Sequence, residues 1–204
     1  MLSYLTAESY IHAQNNTMFH IKIKDKYMHS FEFQTVPHII SGIDSIRQLG
    51  QVLQNFDVKR VLLVTDQGLI QAGIHEPVLE QLNDHQINIS VYQDVQADPS
   101  EALILEAVAF AQTEQIDAVI GFGGGSAMDV AKLIAILAHP EQTQCLSDLY
   151  GVGLAKKPRL PLLLIPTTAG TGSEVTPISI VTTGETQKTG IVSPALFADV
   201  AILD

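Results

Sequence analysis

The sequence predicts an α/β chain built on a doubly wound, mostly parallel sheet, with helices on both faces and an added β-hairpin. Three observations carry this. Apolar runs of strand length alternate with amphipathic runs of helix length along most of the 204 residues. Glycine-rich turns follow two of the strands, "GFGGG" at 121–125 and "AGTG" at 169–172. Near the end, "ISIVTTGETQKTGIVS" sets two β-rich runs around Gly184, as a hairpin would.

In chain order, residues 1–27 show no sustained period and read as an N-terminal extension, disordered or lying before the true start at Met28. The folded domain is expected over 28–204, and no internal repeat interrupts it. "FEFQTVPHIISG" gives an extended segment, a proline break and a strand ending at Gly42. "IDSIRQLGQVLQNF" puts Ile43, Ile46, Leu49 and Leu53 on one helical stripe. "KRVLLVTD" (59–66) is a buried strand, "EPVLEQLNDHQ" a helix with Pro77 in its first turn, and "INISVYQDV" the next strand. Ser100 is placed to cap the helix "SEALILEAVAFAQTEQ". "IDAVIGFGG" is a further buried strand, followed by the helix "SAMDVAKLIAILAHP", which Pro140 stops. A loop then leads to the strand "LPLLLIPTT", the hairpin and the short strand "DVAILD". Repeated strand–helix units give parallel strands, so the fold class is Rossmann-like.

Composition narrows the partners. A formal net charge of -11 disfavours nucleic acid, whose binding proteins displace counterions with basic patches. A phosphate-bearing ligand remains possible, because helix N-termini hold phosphate through backbone amides. No apolar run is long enough to span a bilayer and no secretory signal opens the chain, so the expected location is cytoplasmic. Cys145, the single cysteine, reads as a buried spectator and not a nucleophile. The seven histidines show no H-x-x-x-H pair and no carboxylate at metal-ligand spacing.

The chemistry concentrates in two loops and one aspartate. In "GFGGGSAMD" four glycines precede a helix that starts near Ser126, and strand, glycine turn and helix N-terminus together make an anion site. No G-K-[S/T] ends the turn, and the G-x-G-x-x-G/A pattern is incomplete, so a tight turn that binds nothing is the competing reading. "PTTAGTGSE" sits at the end of the next strand, with hydroxyls on Thr167, Thr168 and Thr171; a locally capped polar loop is the alternative there. Asp66 ends an early strand, where a carboxylate accepts ribose hydroxyls and repels a 2′-phosphate, which predicts NAD over NADP. The alternative for Asp66 is to cap the turn that follows. No catalytic centre is legible in the residues themselves.

Taken together, "HSFEFQTVPHIISGIDSIRQLG", "VLLVTDQGLIQAGI", "GFGGGSAMDVAK", "IPTTAGTGSEVTP" and "ADVAILD" resemble the N-terminal dinucleotide-binding half of the iron-containing (group III) alcohol dehydrogenases, from about Met28 to Asp204. The resemblance implies that Asp66 meets the adenosine ribose and that Gly124, Gly125 and Ser126 form the pyrophosphate loop, with Asp129 in its first helical turn. It implies that Thr167, Thr168 and Thr171 surround the diphosphate and nicotinamide side, and that Lys188 approaches the cofactor from the hairpin. Two positions depart from the family pattern: Asp98-Pro99 where Asn-Pro is common, and Ala127 where proline is common.

The resemblance further implies hydride transfer between a small alcohol or aldehyde and NAD, assisted by divalent iron or zinc. The metal ligands, an aspartate and three histidines, belong to a helical C-terminal domain expected beyond Asp204 and so missing from this chain. The chain alone is then expected to be inactive, a truncated nucleotide-binding module, or half of an enzyme completed by another chain. Self-association through the face that domain would cover is also expected. A related polyol dehydrogenase or a sugar-phosphate cyclase of similar architecture is the remaining reading.

Overall fold

The computed structural model describes residues 32–204, so the expected extension over 1–27 lies outside the described residues. Among the described residues there are nine strands: β1 (His38–Ser41), β2 (Arg60–Val64), β3 (Asn88–Tyr92), β4 (Ala118–Gly123), β5 (Gly151–Val152), β6 (Leu162–Pro166), β7 (Ile178–Thr183), β8 (Gln187–Val192) and β9 (Val200–Leu203). Five α-helices join them: α1 (Leu49–Gln54), α2 (Gln67–Gln71), α3 (Glu76–Asp84), α4 (Glu101–Thr113) and α5 (Gly125–Leu137).

Six strands form one parallel sheet in the order β1-β9-β6-β4-β2-β3. Its strands are apolar nearly throughout because both faces are covered, and the period-2 alternation sorts their side chains into two cores. Leu62, Val64, Val119, Leu162, Leu164 and Ala201 point to one face, where α4 and α5 pack. Val61, Leu63, Ile120, Leu163, Val200 and Ile202 point to the other, against Leu49 and Leu53 of α1 and Val78 and Leu82 of α3. A second sheet, β5-β8-β7, holds the predicted hairpin, which turns at Gly184 with φ 61°.

Three local expectations change. The helix read from Ile43 onward begins later: Asp44 adopts a left-handed φ of 59°, a 3-10 turn follows at Ser45–Gln48, and Ile43 is 98% exposed. Helical spacing placed Ile43 on the stripe, but a backbone break one residue later turns it to solvent. Cys145 is exposed and not buried, because it heads the 3-10 turn Leu146–Asp148, with its thiol 3.0 Å from the Asp148 carboxylate. The short α2 had no apolar period to announce it.

Ser100 caps α4 as expected, its Oγ accepting from Leu103 N at 3.3 Å. No helix among the described residues is long and apolar enough to cross a membrane.

Candidate functional site

After β2 the chain moves outward to the edge strand β3, and after β4 it moves the opposite way, to β6. The winding therefore reverses between β2 and β4, and a crevice opens beyond their carboxyl ends. A cleft of about 540 Å³ occupies that crevice, bounded by Asp66 to Gly68, Gln93 to Ala97 and Gly124 to Ala127. No Lys or Arg lines it.

The four glycines of the β4–α5 turn have different tasks. A Cβ on Gly121 would stand 2.7 Å from the Leu164 side chain and 2.8 Å from that of Ala131, so this glycine lets α5 lie close on the sheet. Gly123 takes φ 148°, which swings the chain from strand to helix. Gly124 is the N-cap of α5 and has no side-chain cap. The helix bonds begin with Met128 N to Gly124 O, so the amides of Gly125, Ser126 and Ala127 have no acceptor within the helix. These amides and the helix dipole point positive potential at the cleft.

Across from them runs the loop after β6, which carries the exposed Thr167, Thr168 and Thr171. Thr167 N donates to Gly123 O at 2.9 Å and ties the two loops together. A Cβ on Gly124 would stand 3.5 Å from Thr168 Oγ1, and one on Gly125 would stand 3.4 Å from the Thr171 methyl. The glycines thus leave a gap between the loops that any side chain would begin to fill.

Asp66 lies at the far side of the cleft, where its Oδ1 accepts from Leu69 N at 3.0 Å and caps α2. The capping alternative therefore holds, and it fixes the carboxylate at the cleft wall. Beside it is Asp94, bridged to Asp66 through the backbone and held by Gln67 Nε2 at 2.9 Å. Sequence reading passed over Asp94, and its place beside Asp66 follows only from the parallel pairing of β2 and β3.

Asp129 and Lys188 sit differently from the loop residues. Asp129 accepts from Ser173 Oγ at 2.7 Å and from Ile180 N at 3.0 Å, which commits its carboxylate to contacts within the chain. Burial pushes its pKa above the usual carboxylate value, against the attraction of Lys132. Lys188 pairs at the surface with Asp98, on the loop that follows β3. Thr182 fastens the same loop to the hairpin through Asp98 O at 3.0 Å and Pro99 O at 2.8 Å. Among the described residues, no group of three or more His, Cys, Asp or Glu side chains is placed to hold a metal ion.

The family profile described as iron-containing alcohol dehydrogenase matches residues 37–204. The long-chain-alcohol dehydrogenase 1 of Geobacillus thermodenitrificans (strain NG80-2) is 40% identical over 173 residues, 84% of this chain and 43% of that protein. A crystal structure of 1,3-propanediol oxidoreductase superposes with a TM-score of 0.80 at 31% identity, over 86% of this chain and 46% of that one. The sulfoacetaldehyde reductase of Bifidobacterium kashiwanohense, solved in complex with NAD+, superposes with a TM-score of 0.77 at 26% identity, over 86% and 46% of the two chains. The chain thus spans a little under half the length of the proteins it matches. With its profile matched from the first strand to the last residue, the chain belongs to the iron-containing alcohol dehydrogenase family.

Proposed function

We propose that this chain is the NAD-binding half of a metal-dependent alcohol dehydrogenase, acting on a small alcohol or aldehyde in the intact enzyme. The observation that carries the reading is the cleft at the winding reversal, with uncapped helix amides at one wall and a fixed carboxylate at the other. The gap that glycines keep open between the β4 and β6 loops suits a diphosphate, which needs close backbone approach more than it needs basic side chains.

In this reading Gly124, Gly125 and Ser126 bind the diphosphate through their amides, and the hydroxyls of Thr167, Thr168 and Thr171 close over it. Asp66 accepts from the adenosine ribose with its remaining lone pairs, while its cap to Leu69 keeps it from rotating away. Asp94 adds a second negative charge at the same wall, so a 2′-phosphate is disfavoured there twice. Bound NAD supplies a hydride acceptor; this chain's residues orient it and exclude water from one side. The described residues offer no metal cluster, and no metal step is assigned to them.

Calorimetric titration with NAD and NADP tests the reading. NAD is expected to bind at least about tenfold tighter, and Asp66→Asn should weaken NAD by about tenfold through loss of a charged hydrogen bond. Equal or tighter binding of NADP by the unaltered chain would contradict the role given to Asp66.

A further inference from the structure

Lys132 is a fully buried lysine, with 0% exposure, two turns into α5 and outside the cleft. Its ammonium donates to Ser173 Oγ at 2.8 Å and to Ile178 O at 2.7 Å, and lies 3.6 Å from Asp129 Oδ1. The Ser173 hydroxyl gives its own proton to Asp129 at 2.7 Å, so its oxygen can only accept from the lysine. The ammonium thus makes two hydrogen bonds and faces the Asp129 carboxylate as an ion pair at 3.6 Å, an arrangement that favours the charged form. A neutral amine could keep both hydrogen bonds only by turning its lone pair toward the Asp129 carboxylate.

Burial lowers the lysine to about 8 and raises the Asp129 carboxyl, each against its partner's attraction. A buried ion pair is by itself weak evidence for stability, and what this pair joins bears on its role.

It joins α5, whose N-terminus bounds the cleft, to the loop that faces Gly124 and Gly125. The loop from Thr167 to Ser173 has an unpacked crest: Gly170 and Gly172 have φ values of 103° and 66°, and a Cβ on either would meet nothing within 4 Å. The loop is fastened at its ends, by Thr167 N to Gly123 O and by Ser173 to Asp129 and Lys132.

We propose that Lys132 is a positioning residue which, with Asp129, fixes Ser173 and thereby holds Thr168 and Thr171 at diphosphate distance from Gly124 and Gly125, making nucleotide affinity depend on its charge. The inference rests on the NAD reading above and moves Asp129 from cofactor contact to loop anchor. The titratable groups that face the ammonium are Asp129 from its own helix and Glu174 from the loop, while β7 contributes the Ile178 carbonyl. Proton loss leaves Asp129 without its counter-charge and loosens the grip on Ser173, which then rests on Asp129 alone. Affinity should therefore be full below about 8 and fall as pH rises through it.

The test pairs NAD titration between about pH 6.5 and 9.5 with hydrogen exchange of the amides of residues 169–175 in the nucleotide-free chain. For the unaltered chain, NAD Kd should rise toward tenfold per pH unit above the midpoint, and the protection factors of residues 169–175, exchange rates divided into the intrinsic rate at each pH, should fall in step. The double variant D129N/K132M removes both charges without stranding either. It should fold with unchanged far-UV circular dichroism, bind NAD at least about tenfold more weakly at neutral pH, and lose the pH dependence. If that variant fails to fold, the pH profile and exchange of the unaltered chain decide alone. A double variant binding NAD within about twofold of the unaltered chain, or a flat NAD profile with constant protection factors, would overturn the proposal. An unaltered chain that binds no NAD at any pH overturns the nucleotide reading instead, and its exchange profile still reports whether Lys132 holds the loop.

Discussion

Gly121 and Gly124 stand three residues apart in one glycine run and make opposite demands. Gly121 is walled in by Leu164 and Ala131, with the Met128 Cα only 3.3 Å from where a Cβ would go. Gly121→Ala should cost about 2 kcal/mol by overpacking, read as a lower denaturation midpoint at unchanged slope. Gly124 has an ordinary extended conformation, φ -79° and ψ -174°, and its Cβ would meet only Thr168 at van der Waals distance. Gly124→Ala should leave stability within about 0.5 kcal/mol, yet weaken NAD binding at least about tenfold by intruding on the diphosphate gap. The spacing showed that this turn has to admit a backbone or a ligand. It could not show which glycine does which, because that depends on the side chains of β6 and α5 across the sheet.

At the scale of elements, Arg159 governs how β6 and β9 enter the sheet together. Its five N–H donors are all used: Nε on Ala195 O, Nη1 on Leu160 O and Asp199, and Nη2 on Phe197 O and Asp199. Asp199 also accepts from Leu162 N at 2.8 Å, so the pair fixes the first residue of β6 against the start of β9. Arg159→Lys keeps the charge but loses the planar fork and strands carbonyls, and should lower stability by about 2–3 kcal/mol in chemical denaturation. A loss under about 0.5 kcal/mol would show that the fork is dispensable.

Elements were legible in proportion to their periodicity. The long α4 and α5 and the buried strands carry clear patterns and lie where those patterns put them. The first helix was over-extended, because its apolar spacing continues through Ile43 while the backbone breaks at Asp44. The five-residue α2 is too short to hold a period; it exists because the Asp66 carboxylate caps it.

For the whole molecule, the decisive fact is where the chemistry is and is not. Asp66 and the loops after β4 and β6 lie at one edge of the six-stranded sheet, yet no metal-binding cluster is found among the described residues. On the proposed reading, purified chain should bind NAD and show no oxidation of primary alcohols above the uncatalysed rate, followed as NADH absorbance with added iron or zinc. Turnover by this chain alone would remove the claim that it is half of a catalytic unit.

By itself the sequence determined the alternating α/β order, the parallel sheet, the hairpin turn at Gly184 and the family, because these rest on local periodicity, turn chemistry and short motifs. It also marked Asp66 and the two loops as the places to look. Only the tertiary structure decided that Asp94 stands beside Asp66, that Lys132 and Asp129 grip Ser173 from beneath, and that Lys188 reaches Asp98. Each of these joins residues 28 to 90 positions apart, brought together by strand order and helix packing. Such pairings leave no periodic trace along the chain, since each partner's local pattern is satisfied without the other.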